Sequence, residues 1–221
     1  MKSPSAFGTT FIATVLVAVL VSPLRAQSPA ITGVTGSSYS NNRLTWGWEF
    51  TVGSSDILVT HLGTWDRDDN GLAAMHDIGI WAVSNQALLG STRLSSGSVH
   101  PLESGFRWKE LGTPILLQAN TSYRIGDDPV SPAREYMLFV AASNVTMNAQ
   151  ITYGGTVTNQ ADVFSYPGTL VDEAMGYGHQ IGPNFKFGPS GPAVPEPALV
   201  QLPFLLGLGG VGLWCRRRQR S

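Results

Sequence analysis

Through the middle of the chain, apolar and polar side chains alternate with a period of two. Leu44, Trp46, Trp48, Phe50 and Val52 occupy every second position, while Thr45, Gly47, Glu49 and Thr51 take the positions between them. That spacing is a strand with one buried face. Further runs rich in β-branched and aromatic residues fall at 57–65, 77–83, 87–94, 106–111, 114–118, 122–126, 136–142, 150–153 and 184–187. Gly, Asn, Asp, Ser and Pro clusters separate them, as turns require. No stretch between residues 27 and 188 carries a helical period. The expected fold class is all-β: an antiparallel β-sandwich of jelly-roll type over 27–188, with alternating side chains buried between opposed sheets.

Two apolar blocks at the chain ends break this rhythm. Phe11 to Val21 is an uncharged run preceded by Lys2 and followed by "PLRAQ". A basic start, a short apolar core and a small residue near the boundary predict a signal peptide over 1–26, too short to be a spanning helix. Residues 189–197 form a Pro/Gly-rich linker ending in Pro195, Glu196 and Pro197. The prolines keep Glu196 in extended backbone, because each fixes its own φ and disfavours the helical region for its predecessor. Ala198 to Trp214 has no charge, and at about 1.5 Å per residue it covers roughly 25 Å as a helix. Arg216, Arg217, Arg218 and Arg220 follow, so 198–221 reads as a transmembrane helix with a basic tail held on the cytoplasmic side.

The ordered series "VPEP", apolar run and "RRR" resembles the PEP-CTERM sorting signal of Gram-negative bacteria. The resemblance implies an exosortase-type membrane protease as partner, with Pro195, Glu196, Pro197, Arg216, Arg217 and Arg218 as the sorting motif. It further implies a protein anchored in the inner membrane before processing and then sent to the cell envelope, cell surface or extracellular matrix, often beside exopolysaccharide. The middle is also similar to a family of exported β-sandwich domains of unknown function, through "WEFTVGSSDILVTHLGTWD", "NGLAAMHDIGIW", "GFRW", "TSYRIG" and "GPNFKF". These are core and turn positions, and the similarity carries no site residues.

The near-neutral total charge hides an uneven distribution. Between Gln27 and Trp214 there are eight basic and fifteen acidic residues, a formal balance of −7. A surface of that sign repels phosphate backbones, which argues against nucleic acid as a partner. The single cysteine, Cys215, lies in the tail, so the middle folds without a disulfide and has no thiol nucleophile.

One stretch has a metal-ligand spacing. "DRDDNGLAAMHD" places Asp66, Asp68 and Asn70 at alternate positions before Gly71, with the Leu72 carbonyl and Asp77 where a calcium loop puts its later ligands. Calcium is therefore the candidate cofactor. A plain hairpin turning at Asn70–Gly71 explains the same residues without an ion. Trp65, Trp81 and Trp108 invite a sugar-stacking reading against one of core packing. His61, His76, His100 and His179 show no metal-ligand spacing and read as turn or surface residues. Glu49, Glu103, Glu110 and Glu135 are the carboxylates from which a glycoside-cleaving pair would be drawn. The favoured expectation is a non-enzymatic structural or adhesive protein that binds carbohydrate or calcium. The alternative is a polysaccharide-active hydrolase or lyase.

Overall fold

A computed structural model of the chain describes residues 27–35, 37–41, 44–130, 135–141, 144–161, 163–171 and 179–191. The side chains of 37–41 and 135–140 are outside that description. The expected signal peptide (1–26), the sorting residues Pro195, Glu196, Pro197, Arg216, Arg217 and Arg218, and the apolar segment of 198–221 all lie outside the described residues. Those that are described fall within one compact unit, Arg25–Pro192.

That unit is all-β. In chain order its strands are β1 (Ser28–Pro29), β2 (Ile31–Val34), β3 (Ser37–Asn41), β4 (Thr45–Val52), β5 (Ile57–Trp65), β6 (His76–Ala82), β7 (Leu88–Leu94) and β8 (Leu102–Glu103). They continue with β9 (Phe106–Leu117), β10 (Ser122–Pro129), β11 (Glu135–Val140), β12 (Val145–Met147), β13 (Ile151–Asn159), β14 (Thr169–Leu170), β15 (His179–Ile181) and β16 (Pro183–Pro189). Two larger sheets form, in the orders β1-β16-β5-β9-β8 and β14-β13-β4-β10-β6-β7, with two small ones, β15-β11-β3 and β12-β2. Every pairing is antiparallel. No helix long and apolar enough to cross a membrane occurs among the described residues.

The period-two pattern of β4 becomes a physical face. Trp48, Phe50 and Val52 are buried, as are Tyr123 and Ile125 of β10 beside them and Ile78 and Ile80 of β6. From the five-stranded sheet, Ile57, Val59 and Leu62 of β5, Ile115 and Leu117 of β9 and Phe185 and Phe187 of β16 join the same core. Two antiparallel sheets sharing one core are the arrangement of a β-sandwich. At its centre Phe50 and Phe185 rings lie 4.8 Å apart, with Trp48 5.2 Å from Phe50 and 5.8 Å from Phe185.

The segments 106–111 and 114–118, expected as two strands, are one strand with a break in register. Val59 pairs with Ile115 and His61 with Glu110, so residues 111–114 bulge out opposite a single residue of β5. The loop after β5 departs further from expectation. A hairpin at Asn70–Gly71 would join neighbouring strands, yet β5 and β6 belong to different sheets. Residues 66–75 are therefore a crossover between the layers.

The outer face of the six-stranded sheet carries three glycines in one row, Gly47, Gly126 and Gly79. A Cβ on Gly126 would stand 2.9 Å from Thr45 and 3.3 Å from Pro167, and one on Gly79 would stand 2.9 Å from Phe164. At Gly126 and Gly79 residues 163–168 lie over the sheet, whereas a Cβ on Gly47 would run into the Ile125 carbonyl of the neighbouring strand. Arg124 fastens that segment: Nε donates to Glu49 at 2.8 Å, Nη1 to the Pro167 carbonyl at 2.7 Å, and the guanidinium stands 5.1 Å from the Tyr166 ring centroid.

Candidate functional site

Alternation along the inner face of the six-stranded sheet puts three rows of side chains across it. Tyr153, Phe50 and Tyr123 make one row, and Trp48, Ile125 and Ile80 fall in the next. The third row, two residues along the same strands, is Thr158, Trp46, Asp127 and Ile78. There the interior turns polar. Asp127 is 6% exposed and His76, at the start of β6, is 2% exposed. His76 Nδ1 lies 2.8 Å from Asp127 Oδ1, and Thr64 of the opposing sheet donates its hydroxyl proton to Asp127 Oδ2. One carboxylate thus ties three strands from both layers. A charge held this deep is tolerated only because it is paired and hydrogen-bonded.

A second buried pair sits beside the first. Arg107 of β9 is the register partner of Thr64, and its Nε donates to Asp66 Oδ2 at 2.7 Å. Its other nitrogens donate to the carbonyls of His100 at 3.0 Å and Asp69 at 3.1 Å. The crossover is closed by a two-way bridge between Leu72 and Gly97, with N···O distances of 3.1 and 2.7 Å. Three further polar atoms in this region, Trp46 Nε1, Thr158 Oγ1 and Gln180 Oε1, are buried without a hydrogen-bonding partner. Gln180 reaches the same strand, since its N–H donates to Thr156 Oγ1 at 3.0 Å.

The expected calcium ligands are each described by the protein groups they meet. Asp66 is committed to Arg107 and to the Gly71 N–H, and Asp77 pairs with Arg93, whose Nε and Nη2 donate at 2.7 and 2.6 Å. The Leu72 carbonyl accepts from Gly97. Asp68 and Asn70 are exposed at the tip, with Asp68 3.8 Å from Arg67. Among the described residues no group of three or more His, Cys, Asp or Glu side chains is placed to hold a metal. The spacing is that of a calcium loop, and two of its carboxylates, Asp66 and Asp77, are paired with arginines.

His76 corrects the reading of the histidines, being a core residue rather than a turn or surface one. The other three are part-buried. Burial lowers the pKa of His61, opposed by Glu110. Burial also lowers that of His100, helped by Lys109 and Arg107, and His100 Nε2 accepts the Ser95 N–H at 2.9 Å. Trp81 and Trp108 are packed, at 4% and 3% exposure. Trp65 is half-buried, and no aromatic ring is among the exposed large apolar side chains of the described residues. Glu49 is held by Arg124 and Glu103 by Lys186, at 2.8 and 2.6 Å.

A scan of protein-family models finds no match to this chain, and a search of curated proteins finds none either.

The buried acid–base pair was missed at sequence level for a definite reason. A strand ending at Gly126 stops one residue short of Asp127. Extending the alternation of Tyr123 and Ile125 by one step puts that aspartate on the core face, which is the signal that marks it.

Proposed function

We propose that the chain is an exported cell-envelope or extracellular-matrix protein of a Gram-negative bacterium. Its jelly-roll-like sandwich is a non-enzymatic structural or adhesive unit facing extracellular polysaccharide. The observation that carries this reading is the ordered C-terminal series of Pro195-Glu196-Pro197, an uncharged apolar run and an arginine cluster. In this reading an exosortase-type protease grips the extended triplet and removes the membrane-spanning tail. The carboxylates are compatible with a structural role, because the buried Asp127 and Asp66, Glu49 on the outer face and the exposed Glu103 are each turned to a cation or hydrogen-bond donor of the protein itself.

The test is mass mapping of the protein recovered from cell fractions. The expected product is found outside the cytoplasm, lacks residues 1–26 and ends before Arg216. Intact full-length chain in the cytosol overturns the sorting reading. Release of reducing or unsaturated ends from the cell's own polysaccharide by purified 27–191 would overturn the non-enzymatic part and favour a hydrolase or lyase.

A further inference from the structure

The Asn70–Gly71 pair has a chemistry of its own that the fold holds in check. Position 71 must be glycine: its φ is +115°, and a Cβ there would stand 2.7 Å from the Gly97 carbonyl carbon. Asn70 is exposed at the tip of the crossover, next to Asp69 at φ +57°. An asparagine before glycine is the most open sequence for imide closure, because no side chain shields the following amide nitrogen. Here that nitrogen is engaged: Gly71 N–H donates to Asp66 Oδ2 at 2.9 Å. Asp66 is 3% exposed, and Arg107 fixes the same oxygen at 2.7 Å.

We propose that Asn70 is a self-modification site latched by the Asp66–Arg107 pair. When the loop opens, the Gly71 amide nitrogen gives up its proton to solvent and attacks Asn70 Cγ. The new C–N bond closes a five-membered imide, and the Cγ–NH2 bond breaks to release ammonia. Water then opens the ring at either carbonyl, leaving aspartate or isoaspartate at position 70. The first product adds a negative charge beside Asp68 and Asp69. The second also lengthens the loop backbone by one atom.

In the closed loop the step is suppressed for an electrostatic reason. Deprotonating Gly71 nitrogen would set a second negative charge against the Asp66 carboxylate and lose a charge-assisted hydrogen bond. Arg107 holds that carboxylate in place.

The experiment incubates purified protein at mildly alkaline pH. It follows the gain of about one mass unit at residue 70 by peptide mapping, with isoaspartate resolved by chromatography. Folded wild type is expected to react at least about tenfold more slowly than the same chain in urea, because reaction must wait for local opening. Asp66→Asn, checked for fold by circular dichroism, is expected to react severalfold faster than folded wild type, and Asn70→Gln should show no change in mass. Wild type reacting at the unfolded-chain rate overturns the latch, and so does a folded Asp66→Asn that reacts no faster. A slower Asp66→Asn would make the carboxylate a base for the reaction, which is the reverse of this proposal. Should Asp66→Asn fail to fold, the folded-to-urea ratio of wild type decides alone.

Discussion

Between the two sheets, Trp48, Phe50 and Phe185 stack within 6 Å of one another and need nothing but close packing. Two residues further along the same strands, Asp127 meets His76 and Thr64 in a network where each polar atom needs a partner, with Trp46 and Thr158 in the same row. Both regions lie between the sheets and are built on the same backbone ladder. They differ in how they fail. The aromatic end loses stability in proportion to the volume removed, since neighbours close only partly over a void. At the polar end the loss depends on whether a deletion strands a buried donor or acceptor.

The largest effect expected is at the aromatic end. Phe50→Ala should lower unfolding free energy by about 3–5 kcal/mol, read from urea denaturation of residues 27–191. A loss below about 1 kcal/mol would mean that the sheets close over the gap and the ring centre is not the organising contact. At the other end, Asp127→Asn preserves shape but gives His76 Nδ1 and the Thr64 hydroxyl a neutral partner with one acceptor instead of two. We expect a cost of about 2 kcal/mol. A matching loss in Thr64→Val, and non-additivity in the double variant, would place both residues in one network.

The first of these regions was legible in the sequence and the second was not. The alternation from Leu44 to Val52 identifies a core face because hydrophobic burial is a property of single residues at fixed period. The turn-delimited run at 57–65 corresponds to β5 for the same reason, whereas the run at 87–94 corresponds to β7, a largely exposed strand marked by its flanking turns. Ion pairs such as Arg107–Asp66 and His76–Asp127 join residues 41 and 51 positions apart, and local spacing carries no trace of such partners. The loop 66–77 shows the same limit: its carboxylates at alternate positions before a glycine have the ligand spacing of an ion site, and the partners that Asp66 and Asp77 meet in the fold, Arg107 of β9 and Arg93 of β7, come from outside the loop. Strands of two to four residues, such as β1, β8, β14 and β15, were also invisible, being too short to show a period and formed only because longer neighbours offer them an edge.

A smaller effect of opposite sign separates an unsatisfied group at the polar end from a satisfied one on the outer face of the same sheet. Thr158 is 2% exposed with a hydroxyl that finds no partner. Thr45, fully buried as well, donates to the Val163 carbonyl at 3.4 Å and accepts from the Ser165 N–H at 3.3 Å. Replacement by valine keeps the shape at both. Thr158→Val should stabilise the fold by up to about 1 kcal/mol, whereas Thr45→Val should cost about 1 kcal/mol. Equal losses at the two sites would show that Thr158 does find a hydrogen bond in solution.

The smallest expected effect is the pH response of the polar end's rim. His100 accepts the Ser95 N–H through Nε2, which requires that nitrogen to be unprotonated. Burial, then Lys109 and Arg107, lower its pKa from the ordinary 6.5. The folded chain therefore takes up this proton less readily than the unfolded one, and stability is fully present above about pH 6.5 and declines as pH falls toward the lowered folded value. His61, lowered by burial, acts in the same direction. His100 is mostly solvated, so the decline should be well below the cost of Asp127→Asn. It is read as the difference in melting temperature between about pH 7.5 and about pH 5.5, in wild type and in His100→Gln. The variant removes the titrating ring while its amide oxygen still offers Ser95 an acceptor, so its slope with pH should be shallower. An identical slope would place the acid sensitivity in the buried carboxylates and leave the rim without a share in it.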